Sequence, residues 1–474
     1  MAFVVLMFVS ACAQPTSAPL PIAGNAISMR YDPFRVAGLP TSDFPSGPKV
    51  ALPTDLQRVD GSDAGEIDRL ALLAIEDIED YWSQHHRGPL SGRFSPVSGL
   101  VSIDPTNPLG PSICGAEPSV FELNAAYCRT RDTIAWDRVR LLPIARGYFG
   151  DMSVTAIMAH EYGHAVQWQA QLVDDDTPTL VQEQQADCLT GVYLRWVAEG
   201  QSPRFSLNTT DALDRVIAGA IAMRDPLSTF SLFSDAEDGH GTALDRVSAF
   251  QQGFDVGAEA CAAMTMGEIE SRRGELPAEL FDPASPQSDM VVTEATLGTV
   301  FDELQQILEP DDPPAFSTRA AECQTTEAQP VVYCAETNTV VVDVATLARI
   351  GTPADENQQV LLQGDNTAIS MVTSRYVLAV QREKGVSLNS PTAAMRTACL
   401  TGAVQREMAL ADGTAGRLVL GAGDLDEAIS GLLTSGLAAS DIDGSVVPSG
   451  FTRITAFRAG LLGDPDSCFR KFPS

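Results

Sequence analysis

The stretch HEYGHAVQ, residues 160–167, sets two imidazoles four positions apart with a carboxylate directly after the first. On a helix, residues i and i+4 share one face, so His160 and His164 can reach a single zinc ion. The surrounding segment 151–172 has the apolar spacing of such a helix, with Asp151 or Ser153 as the expected N-cap and Val154, Ile157 and Met158 facing the core. The chain holds only five histidines, so a chance match to this spacing is rare. Catalytic zinc takes three protein ligands and keeps one position open for water. An HExxHxxGxxH continuation is excluded, because Gln167 and Ala170 occupy its last two places. Glu183, nineteen residues after His164, lies on the next predicted helix, 179–199, one turn before Asp187. Glu183 is the expected third ligand, and Asp187 can accept the distal N–H of a ligand histidine and fix its tautomer.

HEYGHAVQ followed by EQQADCLTGVY resembles the bacterial neutral zinc metallopeptidase family, a gluzincin-like group, over about residues 66–265. The resemblance implies one Zn2+ per chain held by His160, His164 and Glu183, with Glu161 as the catalytic carboxylate and a peptide or protein as substrate. The chemistry agrees: zinc acidifies its water and polarises the scissile carbonyl, while Glu161 takes the water proton and passes it to the leaving amine. His240 admits two roles, donation to the oxyanion or capping of a helix that begins near Thr242. His85 and His86 belong to a polar helix end.

The elements that must position these groups follow from periodicity. Helical patterns cover GEIDRLALLAIEDIEDYWSQ from Gly65 and the segments 151–172, 179–199, 208–224 and 242–256, with a strand-like Thr133–Trp136 between the first two. GDMSVTAIMAHEYGHAVQ, 150–167, aligns without a gap on GDNTAISMVTSRYVLAVQ, 364–381. ADCLTGVYLRWV pairs with TACLTGAVQREM, AYCRTRDTIAWD with VYCAETNTVVVD, and LDRVSAFQQGF with FTRITAFRAGL. Four cysteines recur in the same order in each half, which points to an internal duplication. Ser374, Arg375, Leu378 and Ala394 then face His160, Glu161, His164 and Glu183, and no histidine follows His240. The expected fold is mainly α with a small β element, α+β, as two tandem homologous zincin-like domains of which the second lacks the metal site. The predicted organisation is a signal peptide over 1–12, a Pro/Gly/acidic tether over 13–65, a metallopeptidase domain over 66–265, a linker over 266–288 and an inactive copy over 289–474, in intramolecular contact with the first. A repeat that closes on itself pairs Cys114–Cys128, Cys188–Cys261, Cys323–Cys334 and Cys399–Cys468.

Composition bounds the partners. The 474 residues carry 31 Lys and Arg against 62 Asp and Glu, a formal charge of −31, which excludes nucleic acid and repels anionic lipid surfaces. An apolar run from Ala2 ends in Val9-Ser10-Ala11-Cys12, which resembles a bacterial lipoprotein export signal with Cys12 as the lipidated residue, although no Lys or Arg precedes it. The expected location is the cell envelope, anchored through Cys12, or secretion, with the lipid as the sole membrane contact. The rival to an exported metallopeptidase is a noncatalytic surface lipoprotein whose two domains bind or scaffold; hydrolysis of a non-peptide amide shares the same zinc chemistry.

Overall fold

A computed structural model describes residues 31–222, 239–278, 290–319, 329–353, 361, 363–410 and 418–473. It is mainly α-helical with small sheets, an α+β fold. Cys12 and Cys323 fall outside the described residues, so lipidation and the Cys323–Cys334 pairing do too.

Residues 31–65 correct the expected tether, because they are laid against the body as a strap. The strap holds β1 (Arg35–Val36), β2 (Leu39–Pro40), β3 (Gly47–Pro48) and β4 (Val59–Asp60). Its Pro and Gly make turns between two-residue strands, and Val36 is fully buried. Its backbone is satisfied by a distant loop: Ser42 N–H donates to Thr209 Oγ1 at 2.9 Å and Lys49 N–H to the Arg204 carbonyl at 2.7 Å.

The first half continues with α1 (Glu66–His85), β5 (Gly99–Ile103), β6 (Ala125–Cys128), β7 (Thr133–Asp137), α2 (Leu141–Phe149), α3 (Asp151–Gln169), α4 (Thr179–Ala198), β8 (Phe205–Ser206), α5 (Asp211–Ala222), α6 (Ala243–Val256), α7 (Ala258–Ala262) and α8 (Met266–Arg273). β4 and β7 both run parallel to β5, and β6 runs antiparallel to β7, in the order β4-β5-β7-β6. Helices α3 and α4 are buried on nearly every face, so α3 lies in the middle of the half with Val154, Met158 and Val166 fully enclosed. The expected N-cap is corrected here. Gly150 at φ 85° is the N-cap of α3 and turns the chain sharply out of α2. The Asp151 carboxylate is taken instead by Arg146 at 2.8 Å, and Ser153 Oγ donates back to the Gly150 carbonyl at 2.7 Å.

The start of the expected linker is also corrected: Met266–Arg273 is the helix α8, N-capped by Thr265. Ile269 is buried, Arg272 reaches Gln184 Oε1 and the Asp245 carbonyl, and Arg273 grips Asp245 through two bonds of 2.8 Å. Charged residues that read as a solvated connection are paired with partners that only the folded half brings near.

The second half holds α9 (Glu294–Leu308), β9 (Ala315–Ser317), β10 (Val331–Cys334), β11 (Thr339–Val342), α10 (Val344–Ile350), α11 (Asp365–Glu383), α12 (Pro391–Ala409), α13 (Ala422–Thr434), α14 (Gly450–Leu461) and α15 (Pro465–Lys471). β9 is parallel to β11 and β10 antiparallel to it. Disulfides join Cys114–Cys128, Cys188–Cys261 and Cys399–Cys468. One cluster of buried apolar side chains runs through both halves, from Val36 to Phe472. Asp214 meets Arg453 at 2.8 Å across their boundary, Gln251 Nε2 donates to the Phe451 carbonyl at 3.0 Å, and Thr452 Oγ1 donates to the Arg35 carbonyl at 2.8 Å.

Candidate metal centre

His160 and His164 project from the same face of α3, and α4 packs across it, bringing Glu183 to both rings. His160 Nε2 lies 3.1 Å from Glu183 Oε2, and His164 Nε2 lies 3.5 Å from Glu183 Oε1. One donor atom from each of the three residues lies within 4.8 Å of the other two. Two imidazole nitrogens and a carboxylate oxygen converging at this distance suit a tetrahedral zinc with one open position. Gly163 makes the close approach possible, since a Cβ there would sit 3.0 Å from the Ala186 Cα on α4.

The two imidazoles are held from behind. His160 Nδ1 bonds Asp187 Oδ1 at 2.9 Å, the contact expected of Asp187. Arg246 from α6 clamps the same carboxylate with Nε on Oδ2 and Nη2 on Oδ1, both at 2.8 Å, and both side chains are buried. His164 Nδ1 lies 3.1 Å from Gln167 Oε1, and Gln167 in turn donates to the Gln182 carbonyl on α4. Arg246 was not singled out in the sequence, and Gln167 only as excluding a longer motif, although Arg246 aligns with Arg453 in the LDRVSAF and FTRITAF match, a visible signal.

Electrostatics follow from burial and pairing. Burial opposes the His160 imidazolium, but the Asp187 and Glu183 carboxylates outweigh it and raise its pKa to about 10. Burial likewise opposes ionised Glu183, yet the His164 and His240 rings hold its carboxyl well below the ordinary range. Arg246 and His160 overcome the burial of Asp187 in the same way. The acceptor side of the site is therefore anionic and fixed in place, as a cation site requires.

Glu161 is buried and lines a pocket with His160, Ile157, Phe149, Val216 and Phe250. His240 is the most open of the three imidazoles near the site: its side chain is 43% exposed and its Nε2 lies 3.5 Å from Glu183 Oε2. The helix-capping alternative for His240 is corrected, because Thr242 is the N-cap of α6 and forms a reciprocal capping box with Asp245. His85 ends α1 and His86 caps it, away from the site.

The aligned residues of the second half build a different interior. Ser374 Oγ donates to the Met371 carbonyl at 2.6 Å, and the fully buried Arg375 spends its guanidinium on the carbonyls of Leu437, Ser440 and Asp441 and on Ser440 Oγ. Leu378 and Ala394 are fully buried. A second carboxylate group gathers there, Asp365, Asp424 and Glu427, in which burial and the Asp365 charge push Glu427 up to about 9.

The disulfides belong to an oxidising environment. Among the described residues no helix is long and apolar enough to cross a membrane. No family model matches the chain, and neither a curated protein nor a solved structure matches it.

Proposed function

We propose that the chain is an exported zinc-dependent metallopeptidase whose first half cleaves a peptide or protein substrate and whose second half is an inactive relative of the first. The observation that carries the first part is the convergence of His160, His164 and Glu183, within 4.8 Å of one another, backed by the Asp187–Arg246 clamp and with Glu161 beside His160. These three residues would hold a zinc, which when bound would supply Lewis acidity at the carbonyl. Glu161, buried beside His160, would accept a proton from the attacking water and return it to the departing amine. His240, half-buried with Nε2 3.5 Å from Glu183 Oε2, would donate a hydrogen bond to the carbonyl oxygen as it gains charge. Asp187, bonded to His160 Nδ1, would hold the ring with Nε2 as the atom left for a metal.

Support for a degenerate duplication comes from matched strand directions as well as matched cysteines. The β9–β11 pair is parallel like β5–β7, and β10–β11 is antiparallel like β6–β7. Cys128 opposes Thr133 as Cys334 opposes Thr339. Lipid anchoring through Cys12 is part of the same proposal, and release of a Cys12→Ser variant from membranes is its test.

The deciding experiment is Glu161→Gln in the full chain. It is expected to retain about one zinc and lose nearly all peptide hydrolysis, since it removes the proton acceptor and no ligand. Zinc without hydrolysis by the wild type, across broad peptide libraries, leaves the noncatalytic binding protein as the better reading.

A further inference from the structure

We propose that Asp426, on helix α13 of the second half, is a positioning residue for the metal site of the first; this rests on the metal-binding reading above. Asp426 Oδ1 accepts a hydrogen bond from Leu244 N–H at 3.4 Å, across the boundary between the halves. Leu244 is the second residue of α6, within the turn whose N–H groups have no partner inside the helix. A carboxylate there satisfies one donor and meets the positive end of the helix dipole. Two residues further on, Arg246 clamps Asp187, and Asp187 holds His160 Nδ1. Asp426, Arg246 and Asp187 are all at least 95% buried, so the relay is enclosed along its length.

The same device is used in the opposite direction. Asp214, at the matching place on α5, accepts from Gly450 N–H at 2.7 and 2.8 Å at the start of α14, and pairs with Arg453. Each half thus lends a carboxylate to the other's helix, as the two faces of a two-fold interface would. Only one direction ends at an imidazole. The residue of the second half that aligns with Asp187 is Ala398, and Arg453 pairs instead with Asp214 across the boundary. The inactive half is part of the support of the metal site.

The test uses full-length protein and four forms: wild type, Asp426→Ala, Asp426→Asn and the mirror control Asp214→Ala. Zinc affinity is measured by competition with a chromogenic chelator, and geometry by the visible spectrum of the Co2+ form. Asp426→Ala is expected to weaken zinc about tenfold, at the low end of what losing an outer support costs, and to shift the cobalt bands. Asp426→Asn keeps an acceptor and loses the charge, so its loss is expected to be about threefold. Asp214→Ala damages the same boundary and is expected to lower the melting temperature while leaving zinc affinity within about twofold, because its relay reaches no ligand. Equal zinc losses in Asp426→Ala and Asp214→Ala overturn the proposal and make Asp426 a stability residue only. Unchanged zinc affinity in Asp426→Ala overturns it as well. If Asp426→Ala does not fold, Asp426→Asn decides: a cobalt spectrum identical to wild type is then the overturning result. A wild type that binds no zinc removes the metal reading itself and this inference with it.

Discussion

At the scale of single residues, the site is a question of which charges are held and by what. The Asp187 carboxylate makes three contacts, one to His160 and two to Arg246, and all three residues are buried. Asp187→Asn loses the charge that fixes the His160 ring and leaves Arg246 buried with a weaker partner. Zinc affinity is expected to fall by about 10–100-fold, measured by chelator competition; an unchanged affinity would show that packing alone sets the ring. A second residue-scale prediction concerns Glu427. Its folded pKa of about 9 lies above the ordinary value, so the folded state holds a proton that the unfolded chain releases. The stability this contributes is full below the unfolded pKa near 4.5 and is lost as pH rises towards 9. Glu427→Gln mimics the protonated form at every pH. The thermal midpoint of the wild type should therefore decline between pH 5 and 9 more steeply than that of the variant, with parallel curves counting against a bound proton.

At the scale of elements, the close crossing of α4 and α6 carries Glu183 and Arg246 into register. It depends on glycine: a Cβ on Gly253 would sit 1.8 Å from the Cys188 carbonyl oxygen, and one on Gly191 would sit 2.2 Å from that of Phe250. Gly460 and Gly402 do the same for α14 and α12, against Cys399 and Phe457. Gly253→Ala is expected to cost about 3 kcal/mol through overpacking, read from denaturant unfolding. Gly298→Ala is the contrast. It lies inside α9 with nothing within 4 Å of the added methyl, and should gain about 0.5–1 kcal/mol from helix propensity. A neutral Gly253→Ala would mean that the helices can separate without loss. This scale also shows what could be read in advance. The helices α3, α4 and α6 are long, so their positions were legible, and the HExxH spacing with Glu183 and Asp187 pointed to four side chains that the fold does bring together. The strap was not legible, because strands of two residues have no period to detect. Helix α8 was obscured by its charges, since Arg272 and Arg273 read as solvated until Gln184 and Asp245 are brought beside them. Arg246 was missed because its partner lies 59 positions away on another helix.

For the whole molecule, the question is whether the halves unfold as one. They share an apolar cluster, and Asp214 and Arg453 form a pair across the boundary with side chains 12% and 7% exposed. Removing one partner of a buried pair strands the other and costs about 3–5 kcal/mol. The chain offers a direct way to see where that cost falls. All four tryptophans, Trp82, Trp136, Trp168 and Trp196, lie in the first half, so their fluorescence follows that half alone, whereas far-UV circular dichroism follows the helices of both. Arg453 belongs to the second half. If the two halves form one cooperative unit, the fluorescence and dichroism transitions of the wild type coincide, and Arg453→Met moves both to lower denaturant by the same amount. If the halves are independent, Arg453→Met shifts the dichroism curve in part and leaves the tryptophan transition where it was. The first outcome is expected, because the strap also crosses the boundary: its Arg35 carbonyl accepts from Thr452 while its Ser42 is tied to Thr209, so loosening α14 loosens a segment that packs on the first half. Coincident transitions would make the second half a structural condition for the ligand geometry of the first; separate ones would free it for a role of its own.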